Sequence, residues 1–487
     1  MAPDTQPSVA AGGDGWTQRV ITLLPRKSGI YIWTNKLYEE MPEIRDTKVG
    51  VVNLFLRATD AALTINENAD PDVRVDLDNA LKAIVPGDPT SRASFVGVSM
   101  DIPVHSGRLA LGTWQGLYLC DWGGEGGQGG GGYDGDDSQR ERQVVATLLS
   151  VEDIKATRNT TIKAPRRGCH LVQDSVASAL GPAISRARDA GAAPGLANIL
   201  LRHTSASLTV NENADPTVRV DMEGALNRIV PESWNDAMFT HVDEGPDDMP
   251  GHVKSTLFGA TLSVPMGSDG RLKMGTWQGV YLCEHRNVGG FGGGHAREVT
   301  VTLPAGAAEA NTTGQTTITV TAPSRGCHDV TDQIERALAP GGALGLGLDV
   351  NDGAGAGGHG GVRTGWLNCF IQHTSASLTV CDGSDSDGAA APGTGAGAGA
   401  RLEDNLNRVV PETWNDEFFK HTYEGPDDMP GHVKSSLMGA SITVPVVDGK
   451  LGLGPGQGVF LCEHRDTGGF GCNLNRSVVL TLQGCAK

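Results

Sequence analysis

The string LLRHTSASLTVNENADPTVRVD at 200–221 returns as FLRATDAALTINENADPDVRVD at 55–76 and, cut short, as FIQHTSASLTV at 370–380. A phrase of this length written three times makes the chain three copies of one folding unit, and every fold proposed for it must accommodate that repetition. The copies have decayed differently. Ala58 stands where His203 stands, and after Val380 the third copy runs into CDGSDSDGAAAPGTGAGAGA instead of Asn-Glu-Asn-Ala-Asp-Pro. Other anchors recur in the same order, so the repeats are whole domains: 16–150, 151–303 and 312–487. A chain of 487 residues is long enough for three domains of roughly 150 residues, each with its own core.

Each copy opens on an alternating strand, TTIKAP at 160–165 or TTITVTAP at 316–323, followed by RGCH and a short amphipathic helix. HTSASLTV alternates with period two, the signal of a half-buried strand. VRVDMEGALNRIV has helical spacing, with Val220, Leu226, Ile229 and Val230 on one face and Pro231 as its stop. Strands separated by Gly-rich turns complete the unit. The predicted class is α+β: a β-sandwich-dominated unit with two helices, repeated three times. The copies are not equally complete. Pro231 to Pro265 spans 34 positions and the matching Pro86 to Pro103 only 17, so copy one lacks the segment FTHVDEGPDDMPGHVKS, which copy three keeps as FKHTYEGPDDMPGHVKS. Copies one and two carry GTWQG and copy three GPGQG.

A net charge of -18 repels phosphate at long range and argues against nucleic acid or an anionic membrane as partner. No window approaches the ~18 apolar residues of a membrane span, and the N-terminus shows no leader pattern, so a cytoplasmic protein is expected. Of the nine cysteines, several lie at equivalent places in different copies (Cys120, Cys283 and Cys462; Cys169 and Cys327), too far apart to pair, and they read as reduced, mostly buried thiols. The Gly-rich stretches at 123–137 and 341–361 read as flexible insertions.

Of the 13 histidines, ten form matched pairs between copies two and three, and copy one keeps none of them. A shared task or a recent duplication would both produce this. His203, His241 and His252, with His373, His421 and His432 in copy three, are the candidate metal ligands, because imidazoles beside the carboxylates of VDEGPDDMPG suit a divalent ion, zinc or magnesium. The bland alternative for EGPDDMP is an ordinary acidic turn. Asn211, Glu212 and Asn213, with Asn66, Glu67 and Asn68 in copy one, are the catalytic candidates, able to orient a substrate or water, or else simply to end a strand in a turn. Arg219 is placed to hold a phosphate or to pair with Asp221. Trp277 and Trp114 offer a ring face and Gln278 and Gln115 an amide edge to a planar substrate, unless the tryptophans are core residues. Ser205 and Ser375 complete the substrate-binding candidates.

HTSASLTVNENADPTVRVD, the DDMPGH-K-S segment and G-x-L-x-x-GTWQG-x-Y-x-CE together resemble the YjbQ family over nearly all of each copy. The resemblance implies a β-sandwich protomer that forms homotrimers. It also implies a weak thiamine-phosphate synthase activity that joins an aminopyrimidine diphosphate to a thiazole phosphate with loss of diphosphate. The implied partner is a small phosphorylated metabolite. A catalytically idle metal or ligand scaffold and a metal-dependent hydrolase are the alternatives.

If single units trimerise, three fused copies form a pseudo-trimer within one monomeric chain. Sites contained within one copy would leave only copy two complete. Sites between copies, with the histidines of one meeting the NENADP and TWQG groups of the copy before it, would instead gather the losses into one dead site and leave two whole ones. The opposite cyclic order would leave only one.

Overall fold

The computed structural model describes residues 10–11, 15–124, 140–189, 191, 195–287, 296–304, 312–339, 341–344, 348, 361–384, 397–466 and 474–486. The Gly-rich insertions read from the sequence fall largely outside them. Every copy builds two antiparallel sheets. In copy two, Thr157–Lys163, Ala296–Thr302, Leu196–Leu201 and Thr261–Pro265 form one, and Gly168–Leu171, Gln278–Glu284 and Ala206–Glu212 the other. The period-two alternation of HTSASLTV is met, but the strand is buried on both faces and not half-buried: Leu208 and Val210 point between the sheets with Val280 and Leu282, while Tyr281 and Cys283 of the neighbouring strand face the helical layer. Ser207, Thr209 and Asn211 therefore lie on the face turned toward helices, and Asn211 sits opposite Gly279 of GTWQG.

The helix expected over 218–230 forms as Pro216–Ile229, with Asp215 as N-cap accepting from Thr217 N–H, but Val220 falls on its exposed face while Leu226 and Ile229 are buried. The structure adds a helix where the sequence reads as a turn. Asp248–Phe258 in copy two and Asp428–Met438 in copy three are helical, and each of their eleven residues is buried. Pro250 is tolerated because it lies in the first turn, where its missing N–H has no helical acceptor to lose. Gly251 is required by closeness: a Cβ there would lie 3.0 Å from the Ser205 Cβ. Gly259 ends the helix with φ 87°, a left-handed conformation strained for any other residue. Copy one retains the end of this helix as Pro89–Val96, closed by Gly97 at φ 96°. Its deletion thus removes the loop and the first turn but not the whole segment.

The three copies share one continuous apolar core between their sheets and another beneath their helices. Strands Ser99–His105, Thr261–Pro265 and Ser441–Val447, one from each copy, meet around a pseudo-threefold axis. The fused chain is its own trimer. Among the described residues, no helix is long and apolar enough to cross a membrane.

Candidate metal centres at the repeat interfaces

The strand ending in Asn66 and Glu67 belongs to copy one, yet its side chains meet copy two. Asn66 Nδ2 donates to His252 O at 3.0 Å and contacts Thr256 Oγ1 at 2.8 Å, while Asn66 Oδ1 accepts from Glu67 N at 2.7 Å and faces His252 Nδ1 at 2.8 Å. A carbonyl can only accept and a backbone N–H only donate, so the amide orientation is unambiguous and His252 Nδ1 carries a proton. Its Nε2 is then turned toward two carboxylates, Glu67 at 3.3 Å and Asp248 at 3.5 Å, and has no hydrogen-bond partner. His241 is flanked likewise, with Nδ1 2.6 Å from Asp70 and Nε2 2.9 Å from Asp248. The loop bearing it is pinned by buried Asp76 of copy one, whose Oδ2 accepts from Thr240 N and His241 N at 2.7 and 2.8 Å.

The second interface repeats this geometry. Asn211 Oδ1 faces His432 Nδ1 at 2.9 Å, Glu212 lies 3.2 Å from His432 Nε2, His421 sits 2.8 Å from both Asp215 and Asp428, and Asp221 holds the backbone of Lys420 and His421. In each site a Glu and two His present ligand atoms within 4.8 Å of one another: Glu67, His241 and His252; Glu212, His421 and His432. Glu244 with Asp248, and Glu424 with Asp428, bring further carboxylates to the same histidines.

The residues fit a divalent ion on chemical grounds. A neutral imidazole lone pair aimed at two carboxylates is repulsive, and a cation between them removes the repulsion. A proton would also serve. With the rings protonated, burial pushes the Glu67 carboxyl up, but the hydrogen bond from His252 and the charges of His252 and His241 outweigh it and hold the group below its usual range.

Several sequence candidates fall elsewhere. His203 and His373 belong to no ligand cluster among the described residues. Arg297, which can only donate, meets His203 Nε2 at 2.6 Å, so the proton of the neutral ring lies on Nδ1, 3.4 Å from Ser205 Oγ. Desolvation, then the Arg297 charge, hold His203 at a pKa of about 3, and His373 beside Arg476 is likewise held at about 3. Both rings are neutral and lie outside the Glu-His-His clusters, a correction to the ligand set read from the sequence. Ser205 and Ser375 are buried supports for them, not open substrate contacts. Gln115 and Gln278 are also corrected. Gln115 Nε2 donates to Leu201 O at 2.9 Å and His203 O at 2.8 Å, and its Oε1 accepts from Gly112 N, so both donors are spent clasping the next copy. Gln278 does the same to Ile371 O and His373 O.

Trp114 and Trp277 are 61% and 62% exposed and are not core residues. Each lies beside the candidate site through its carbonyl, which accepts from Asn68 N or Asn213 N. Asn68 and Asn213 also bond the carbonyls of Gln115 and Gln278, fixing the turn that carries the tryptophan. Arg219 is half-buried, with Nη1 lacking a partner. Asp70, Asp248, Asp215 and Asp428 were not singled out from the sequence. The signal was present in Asp248 and His252, spaced i,i+4 as neighbours on one helix face, but only if that segment is known to be helical.

The third interface joins copy three to copy one. Cys381 and Asp382 stand where Asn211 and Glu212 stand, and Thr90 holds the helix position of His252, counted back from Gly97 and Gly259. Gln457 still clasps Leu56 O and Ala58 O at 2.9 and 2.8 Å. Asp88 takes a hydrogen bond from Asn405 at 3.2 Å and has Arg401 3.8 Å away, a structural contact where the other interfaces anchor a histidine loop.

A family model described as UPF0047 protein YjbQ-like matches residues 19–150, 158–305 and 357–485. The chain belongs to the YjbQ family. Its relatives include UPF0047 protein YjbQ of Escherichia coli O157:H7, 46% identical over 135 residues, which are 27% of this chain and 89% of that protein. A UPF0047 protein of Synechocystis is 44% identical over 111 residues, 23% of this chain and 70% of the relative. A crystal structure of a conserved hypothetical protein from Thermus thermophilus aligns at 31% identity over 30% of this chain and 99% of its own, with a TM-score of 0.24. The single-copy YjbQ relatives are thus about the length of one repeat here.

Proposed function

We propose that the two composite sites each bind a divalent ion and act on a small phosphorylated metabolite, with thiamine-phosphate synthase-like transfer as the reaction to test first. The observation that carries this reading is the His252 Nε2 atom, buried without a hydrogen-bond partner between Glu67 at 3.3 Å and Asp248 at 3.5 Å. Glu67, His241 and His252 would hold the ion in one site and Glu212, His421 and His432 in the other. A bound divalent ion supplies charge stabilisation for a diphosphate leaving group. Asn66 and Asn211 keep the ligating nitrogens bare by occupying the opposite ring nitrogens. Trp114 and Trp277 offer solvent-facing rings on which a pyrimidine can stack, and the half-buried Arg219 supplies positive charge for a phosphate.

The test is product analysis with the aminopyrimidine diphosphate, with and without the thiazole phosphate, on metal-stripped and metal-loaded protein. Metal-dependent formation of thiamine phosphate supports transfer, and loss of diphosphate without the thiazole supports hydrolysis. Protein that takes up no divalent ion refutes the metal-assisted reading and points to an idle scaffold.

A further inference from the structure

Away from these interfaces, the pseudo-threefold axis breaks its symmetry at one position. Strand register places Asp101 opposite Asn53, Ser263 opposite Asn198 and Thr443 opposite Asn368, so the axial residue is Asp in copy one and a hydroxyl in the other two. Asp101 Oδ2 accepts from Ser263 Oγ at 2.5 Å and Thr443 Oγ1 at 2.6 Å, and Oδ1 accepts from Asn53 Nδ2 at 2.8 Å. Only a fused chain can place a single carboxylate here, since three identical units would bring three together. We propose that this axis binds a small monovalent cation, held by the Asp101 carboxylate at a cavity lined by all three copies.

The cavity measures about 140 Å³, well above the roughly 10–15 Å³ that one water needs. Its lining includes Thr64, Thr209 and Thr379 and the C-terminal turns of the helices Pro89–Val96, Asp248–Phe258 and Asp428–Met438. Helix C-termini carry partial negative charge, so three converging ends and one carboxylate make the potential negative. No Lys, Arg or His lines this cavity, and among the described residues none pairs with Asp101. A buried carboxylate without a counter-charge is costly and either takes up a proton or binds a cation. Burial pushes the Asp101 carboxyl up, against its three hydrogen bonds. The carbonyl oxygens of Asn53, Asn198 and Asn368, bonded through their amide nitrogens to this ring, are buried and lack donors. The rest of the cavity lining is apolar, and its polar side chains are Asp101 and the hydroxyls of Ser and Thr, oxygen groups that suit a hard cation; one formal negative charge matches one positive charge.

Thermal unfolding of the full chain at equal ionic strength in NaCl, KCl and N-methylglucamine chloride tests this. The expected result is a Tm that rises to saturation with sodium or potassium but not with the bulky cation, and Asp101→Asn abolishes that difference while leaving the ions bound at the histidine sites unchanged. Equal Tm in all three salts, or the same cation dependence in Asp101→Asn, overturns the proposal. Should the variant fail to fold, crystals of the wild type soaked in thallium decide: an anomalous peak beside Asp101 supports the site, and its absence rejects it.

Discussion

Replacing Asn66 by alanine should empty one interface site and spare the other. The amide makes four buried contacts, to His252 O, Thr256 Oγ1, Glu67 N and His252 Nδ1. Its loss leaves two donors, Glu67 N–H and His252 Nδ1–H, without acceptors inside the protein. Each orphaned buried donor costs about 1–3 kcal/mol, so a loss of about 2–6 kcal/mol is expected. The free imidazole can also exchange tautomers, and the lone pair aimed at Glu67 is no longer guaranteed. Elemental analysis of metal-loaded protein should give about two ions per chain for wild type, matching its two Glu-His-His clusters. It should give one for Asn66→Ala, one for Asn211→Ala and none for the double variant. Cys381→Ala, at the equivalent position of the third interface, should cost only about 1 kcal/mol and leave both ions in place. Urea unfolding measures the stability change in the same samples. Asn66→Ala with two ions retained and stability within about 0.5 kcal/mol of wild type would refute the claim that this amide orients the ligand.

Three further outcomes are expected. Gln115→Ala removes bonds to Leu201 O, His203 O and Gly112 N and should lower the unfolding free energy in urea by about 1–3 kcal/mol with metal content unchanged; a lost ion would return Gln115 to the site itself. His203 and His373 are held near pKa 3, below the ordinary value of 6.5, so the unfolded chain binds more protons between these values and stability should fall as pH drops from about 6.5 to 3. The double variant His203→Gln/His373→Gln should flatten that slope in pH-dependent urea titrations, and an unchanged slope would assign acid lability to other groups. Trp277→Ala, at a 62% exposed position, should leave Tm within a degree or two and raise KM for a pyrimidine substrate at the second site, whereas a large fall in Tm would make the ring structural.

Much of the site was legible because chemistry and repetition coincide. His241, His252, Glu67 and Asn66 stood out as polar residues retained in matched sets, and the pattern of losses suggested that histidines of one copy meet the amides of the copy before it. The interfaces have that order, and the losses gather where Cys381 faces copy one. Gln115 was misread because a single sequence cannot distinguish an amide with free donors from one whose donors are spent on a neighbouring backbone.

The sequence by itself determined the three-copy organisation, the two-sheet unit and the sidedness of its strands, since period-two alternation alone sends Leu208 and Val210 to one face and Asn211 to the other. Tertiary structure decided the rest. Asp248–Phe258 is a helix because all of it is buried, against the sheet of its own copy as well as neighbouring copies, which overrides the local turn signals of Gly245, Pro246 and Pro250. His203 lost its place among the ligands to Arg297, a neighbour supplied by a strand distant in sequence. Asp101 can remain buried only because Ser263 and Thr443 from two other copies converge on its oxygen. Each of these outcomes depends on distances between groups far apart along the chain, and such distances are set by packing around the axis.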